Sequence, residues 1–223
     1  MSTDEYLSPG RFVDSDAPQI AAFAHDATAS ATNATDAALR LYRAVRDDIL
    51  YDAYVDFFDP ATFRASAVLA SGRGFCVGKA SVLAACARTV GIPARLGFAD
   101  VRNHLTSPRL YDVMKTDVFH WHAYTELQLD GKWVKATPAF NATLCERVGL
   151  KPLEFDGRTD SLFHPFDRSG RRHMEYVFDR GSYADVPFDL ICAEFSRHYP
   201  GLRRDRLAGG DFAAEAVAGS DQP

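Results

Sequence analysis

Gly72-Arg73-Gly74-Phe75-Cys76-Val77-Gly78-Lys79-Ala80, continuing through Leu83, Ala84, Ala87 and Val90 to Gly91-Ile92-Pro93, is the stretch on which the fold turns. From Cys76 onward, small or apolar residues recur at Ala80, Leu83, Ala84, Ala87 and Val90, the face of a helix. Gly91 stops that helix and Pro93 bars its restart. The strongest helix in the chain therefore begins at a cysteine. A thiol there meets unpaired backbone N–H groups and the positive end of the helix dipole, and both favour thiolate. They can pull a thiol below its usual pKa of about 8.5. The same N–H groups can hold a developing oxyanion. On this feature alone, a nucleophile and a buried structural cysteine are equally good readings. Cys86 sits mid-helix among alanines and reads as packing, as do Cys145 and Cys192. Gly72, Gly74 and Gly78 do not match the spacing of either nucleotide-binding fingerprint.

Downstream the pattern changes from helical to alternating. Arg95 to Val101 and Phe119 to Leu129 read as strands, Asp130-Gly131 as a hairpin turn, and Lys132 to Ala136 as the returning strand. Upstream, residues 18–31 and 35–49 read as helices, the second with Thr35 and Asp36 near its N-cap, and Pro60 to Ser71 as a shorter one. Met174 to Phe178 reads as a strand and Phe188 to Tyr199 as a helix. Helices first and an antiparallel sheet after predict an α+β fold in one domain, residues 1–223, with its core over about 35–141. Residues 1–17 and 208–223 read as loose tails.

The 223 residues are 47% hydrophobic, enough for one sizeable core, and carry a formal net charge of -5. No basic stripe stands out, which argues against a nucleic-acid partner. Arg203, Arg204 and Arg206 read as a solvated helix end or tail. No stretch approaches the roughly 20 apolar residues of a membrane span, and Asp4 and Glu5 stand where a signal peptide would be basic. A cytoplasmic protein with four reduced, widely spaced cysteines is expected.

His120-Trp121-His122-Ala123-Tyr124 falls on a predicted strand, whose period of two sends His120 and His122 to one face. In a cysteine enzyme an imidazole takes the thiol proton and later gives it to the leaving group.

These blocks together resemble the transglutaminase-like superfamily. Gly74-Phe75-Cys76 with its helix and Gly91-Ile92-Pro93-Ala94-Arg95 look like the family's cysteine block. His122-Ala123-Tyr124 is similar to its His-Ala-aromatic motif. Lys132-Trp133-Val134-Lys135-Ala136-Thr137-Pro138 resembles its strand ending in Trp-Val-x-x-Asp-Pro, and Val45 to Tyr51 resembles the helix end before the cysteine. The resemblance covers roughly residues 35–141 and is closest to bacterial cysteine proteases and amidases of that superfamily. It implies a papain-like core, a Cys-His-Asp triad, and acyl transfer or hydrolysis through a thioester on a peptide, protein or small amide, with no cofactor. It selects Cys76 as nucleophile and His122 as base, and leaves His120, Trp121 and Tyr124 as candidate substrate-binding residues.

The match departs at the third triad position, where Thr137 stands for the family's aspartate. A hydroxyl can accept the imidazole hydrogen bond but gives little charge stabilisation. Asn141, Asp117 or Asp156 could substitute as orienter. Two other classes remain open. His120, His122 and Glu126 form an H-x-H-x3-E pattern of the kind that holds a metal, although the glycine expected after it falls on Trp133. A non-catalytic binding module on the same fold would also explain Thr137. Two further segments, Phe163 to Asp167 and His173 to Gly181, mix charge with apolar residues; they read as solvated flanks of a strand or as one wall of a cleft.

Overall fold

The computed structural model describes residues 4–103, 108–162, 170, 174–202 and 210–220. In chain order its elements are α1 (Pro18–Thr28), α2 (Ala34–Asp48), β1 (Leu50–Tyr51), α3 (Ala65–Ser71), β2 (Arg73–Gly74), α4 (Cys76–Thr89), β3 (Ala94–Asn103), α5 (Pro108–Met114), β4 (Val118–Leu129), β5 (Lys132–Ala136), α6 (Ala142–Arg147), β6 (Met174–Tyr183), α7 (Phe188–His198) and α8 (Phe212–Ser220). The α+β expectation holds. β3 to β6 form one antiparallel sheet in the order β5-β4-β3-β6, and the helices before it supply the other layer.

Helix α4 is the axis of the molecule. Every residue from Cys76 to Arg88 is buried, as expected of a helix without a polar face. Its small residues let neighbours come close. At Gly78 an added Cβ would lie 2.7 Å from the Thr62 carbonyl oxygen and 2.9 Å from the Val68 side chain, so only glycine fits. Helices α1, α2 and α3 pack on one side of α4 and strand β4 on the other. Thr125 Oγ1 donates to the Ala80 carbonyl at 2.9 Å, pinning helix to sheet. Helix α3 ends at Gly72 in the left-handed conformation (φ 65°). The short parallel pair β1–β2 then aligns Tyr51 with Gly74, which fixes the entry to α4.

Lys79, one turn into α4, is fully buried. Its Nζ donates to the main-chain carbonyls of Arg46 (2.8 Å) and Ile49 (2.5 Å), so it caps the C-terminus of α2 from the side. Helix α2 is capped at its other end by Asn33, whose side chain accepts from the Asp36 N–H, two residues before the expected cap.

Both tails need correction. The N-terminal arm is not loose: the Asp185 carboxylate accepts from the N–H groups of Arg11, Phe12 and Val13, and Phe12 and Val13 are core residues. In the C-terminal tail, α8 packs Phe212 on Tyr51 and Tyr54 at ring-centroid distances of 5.2 and 5.4 Å, and Glu215 pairs with Arg109 of α5. Arg203, Arg204, Arg206, Phe163 to Asp167 and His173 lie outside the described residues. No helix among the described residues is long and apolar enough to cross a membrane.

Candidate active site

Cys76 occupies the first position of α4, after Phe75 at the N-cap. The main-chain N–H groups of Ala123, Val77 and Cys76 itself favour its thiolate. The helix start was legible in the sequence; the donor from Ala123 was not, because it comes from β4 across the interface. The expectation of a lowered thiol pKa is overturned. Burial pushes Cys76 up to about 11, outweighing the three N–H groups that favour the thiolate.

The cause is the pocket around it. Its volume is about 40 Å³, room for a water or so and far below the several hundred Å³ of an ordinary ligand site. Tyr51, Phe75 and Trp121, Leu110 and Met114 of α5, Phe195 of α7, and Tyr199 and Leu202 beyond it line the cavity. His120 and His122 both line it beside Cys76, so the structure brings the two strand histidines and the thiol to one cavity.

The two imidazoles live in different surroundings. His122 is buried, its Nε2 has no hydrogen-bond partner, and desolvation alone lowers its pKa to about 4. Thr137, at the family's aspartate position, is buried with Oγ1 likewise unpartnered. The other proposed orienters are engaged elsewhere. Asn141 Oδ1 accepts from the Tyr51 N–H at 2.9 Å and its Nδ2 donates to Thr143 Oγ1 at 2.6 Å. Asp117 pairs with Arg102, and Asp156 closes its own loop onto Arg158 and Thr159.

His120 has the carboxylate that His122 lacks. Its Nδ1 lies 2.8 Å from Asp100 Oδ2. Asp100, on β3, is buried and also accepts from Arg180 Nε (2.9 Å), Arg180 Nη2 (2.7 Å) and the Trp121 N–H (3.1 Å). Burial would raise its pKa, but the His120 and Arg180 hydrogen bonds and the Trp121 N–H outweigh it and hold the carboxyl far below its ordinary value. The His120 main-chain N–H donates to Tyr199 Oη at 2.6 Å, and its ring stacks on His198 with centroids 3.8 Å apart. Between the two histidines, Trp121 adopts φ 60°, a left-handed conformation that is strained for a bulky residue, and the Asp100 bond to its N–H helps hold it there. The turn falls where the β3–β4 register shifts, between Ala99 and Val101.

Tyr124 is a correction. It packs with Ala99, Val101 and Met174 in a cluster separate from the main core, over Gly97, and does not line the pocket. It faces the side of β4 opposite to Thr125, whose Oγ1 reaches α4, and the left-handed turn at Trp121 separates it from the histidines' part of the strand. The H-x-H-x3-E metal reading also fails on geometry. Glu126 pairs with Arg95 at 2.5 Å and accepts from Ser182 Oγ, and among the described residues no group of three or more His, Cys, Asp or Glu side chains could hold a metal ion.

Comparison with known proteins agrees with this architecture. A family model, the transglutaminase-like superfamily, matches residues 21–138. The chain belongs to the transglutaminase-like superfamily. Among solved structures it is similar to a "putative cysteine protease from Cytophaga hutchinsonii" (TM-score 0.53, 16% identity), covering 86% of this chain and 50% of that one. A second, a "putative protease from Parabacteroides distasonis", matches at TM-score 0.41 and 16% identity over 60% of this chain and 25% of that one. The chain thus spans about half the length of the Cytophaga protein and a quarter of the Parabacteroides one. At 16% identity the likeness to the Cytophaga structure is one of fold. No curated protein matches the chain.

Proposed function

We propose that this superfamily member is a thiol enzyme that transfers or hydrolyses the acyl group of a peptide or other amide, with Cys76 as nucleophile and an imidazole of β4 as its base. His122 holds the family's place for that base. The observation that carries the reading is the placement of Cys76 at the start of α4 in one pocket with both histidines. The proton leaves Sγ for the imidazole, the thiolate attacks the carbonyl carbon, and main-chain N–H groups at the helix start stabilise the negative oxygen. The C–N bond breaks as the imidazole returns the proton to the departing amine. Water, or a second amine, then resolves the thioester. Cys76 is 8% exposed in a small cavity, so a substrate carbonyl has to enter past the side chains that line it.

Two assays test this together: hydrolysis of a panel of fluorogenic peptide amides, and iodoacetamide labelling of the four cysteines followed by mass spectrometry. Cys76→Ala should abolish turnover with an unchanged circular-dichroism spectrum. Turnover retained in that variant would overturn the reading.

A further inference from the structure

We propose that His120, held by Asp100, is the imidazole that takes the Cys76 proton and returns it to the leaving group. The assignment rests on the thiol reading above and moves the base two residues along β4. The family pattern pairs the histidine at 122 with an acid at 137. Here that acid is Thr137, and neither His122 Nε2 nor Thr137 Oγ1 has a partner. Two residues upstream, a complete imidazole–carboxylate pair faces the same cavity.

The geometry sets the tautomer. A carboxylate held as an anion by Arg180 can only accept, so the His120 proton sits on Nδ1. Nε2 is then the nitrogen free to receive a proton. When it does, the imidazolium is balanced by Asp100 in a buried setting, where such pairing counts most. His122, desolvated and without a carboxylate among its contacts, has nothing comparable. The groups around the His120 ring come from several elements: Asp100 from β3, Arg180 from β6, and His198 and Tyr199 from the end of α7; Cys76 of α4 lines the same cavity. His198 is itself tied to Glu194 at 3.4 Å, which also pairs with Arg180. Of these groups Asp100 lies nearest, at 2.8 Å, with Arg180 Nη2 3.4 Å from the same nitrogen. Asp100 is the positioning residue of this arrangement, and Arg180 fixes Asp100 in turn.

The proton balance is complete without any co-reactant. The Sγ–H proton passes to His120 Nε2 as the S–C bond forms. It passes on to the amine as the C–N bond breaks. A water proton takes the same route as the thioester S–C bond is cleaved, and Sγ recovers it.

The test is the pH dependence of Cys76 labelling by iodoacetamide in the full chain, with Cys86 and Cys145 as internal buried references. His120→Gln should lower the Cys76 rate at pH 7 at least tenfold, and His122→Gln less than threefold. Asp100→Asn should shift the pH profile of labelling rather than only its amplitude, and Asp100→Glu should recover part of the shift. If the Asp100 variants do not fold, the part-exposed His120 position still decides the matter. A tenfold loss in His122→Gln with none in His120→Gln overturns the assignment and leaves the thiol reading standing, and equal losses count against it too. Cys76 labelled no faster than Cys86 and Cys145 in the unmodified chain would instead bring down the thiol reading, and this inference with it.

Discussion

His122 Nε2 and Thr137 Oγ1, the two atoms that the family's histidine–aspartate contact would join, are both buried and both without a hydrogen-bond partner. The strand end that carries Thr137 is nonetheless firmly placed. The Thr137 N–H donates to the Ser161 carbonyl at 2.9 Å, and the Thr137 carbonyl accepts from Tyr42 Oη at 3.2 Å. Thr137 thus stands, firmly held and without a charge, at the position where the resemblance puts an aspartate.

Restoring that acid should therefore act on His122 directly. In Thr137→Asp the new carboxylate should raise the His122 pKa from about 4 by about 1–3 units, the usual effect of an adjacent opposite charge. Cys76 labelling near neutral pH should rise with it, and the variant should tolerate His120→Gln better than the parent does. Histidine resonances followed by NMR across pH would read the first effect, and iodoacetamide kinetics the second. A His122 pKa that stays put would show that the position cannot hold a charge facing the imidazole.

The same buried histidine makes stability depend on acid. Its folded pKa of about 4 lies below the ordinary imidazole value of 6.5, so the unfolded chain binds the extra proton first. Stability is then full above about pH 6.5 and falls as pH drops toward 4. A shift of this size corresponds to about 3 kcal/mol at the lower limit. His198, whose pKa is also lowered, adds to the loss with the same sign. Depressed carboxylates such as Asp100 contribute only at lower pH, below their unfolded values. Urea midpoints measured from pH 7 to 4.5 should decline in the parent and decline distinctly less in His122→Gln. Parallel curves would mean that His122 is already protonated when folded.

Parts of this arrangement were legible in the residues and parts were not. Helix α4 and the β4–β5 hairpin announce themselves, because glycine, proline and periodicity all act within one segment. Helices α5 and α6 span seven and six residues, too short for a periodic stripe to show. Phe12 and Val13 were read as part of a tail because their anchor, Asp185, is more than 170 residues away. Asp100 was missed for the same reason. The available signal was a lone acid inside the apolar run Leu96-Gly97-Phe98-Ala99-Asp100-Val101, since an unpaired carboxylate is not buried in a strand without a partner. Its partner Arg180 lies in the mixed segment up to Gly181, whose charge the sequence left unexplained.

The Asp185 clip should be separable from the site. One carboxylate satisfies three successive N–H groups at 2.7–3.2 Å, and Phe12 stacks on Phe188 with centroids 5.3 Å apart. Asp185→Ala leaves those donors to whatever water reaches them, at a cost of about 2 kcal/mol. Residues 4–17 should become the first point of limited proteolysis while Cys76 labelling changes little. An arm as resistant as the parent's would show that the Phe12 packing holds it without the clip.

Lys79 sets two large effects against each other. A fully buried ammonium is penalised by desolvation, which lowers its pKa to about 7, with the Asp47 charge acting in the opposite sense. Replacing it by an apolar residue of similar length removes that penalty, and such exchanges are sometimes stabilising for buried ions. However, Nζ donates to the carbonyls of Arg46 and Ile49 at the end of α2, and each carbonyl left buried without a donor costs about 1–3 kcal/mol. The desolvation penalty is largest at and below neutral pH and fades only as pH rises toward 10.5, where the unfolded lysine also loses its proton. Lys79→Met should therefore be more destabilising, relative to the parent, at pH 9 than at pH 7, with the loss concentrated at the α2–β1 junction that positions Tyr51 beside Cys76. Hydrogen exchange of the Ile49–Asp52 amides, together with the urea midpoint, measures both consequences. A variant as stable as the parent, with unchanged exchange there, would show that desolvation dominates and that the α2 terminus needs no cap.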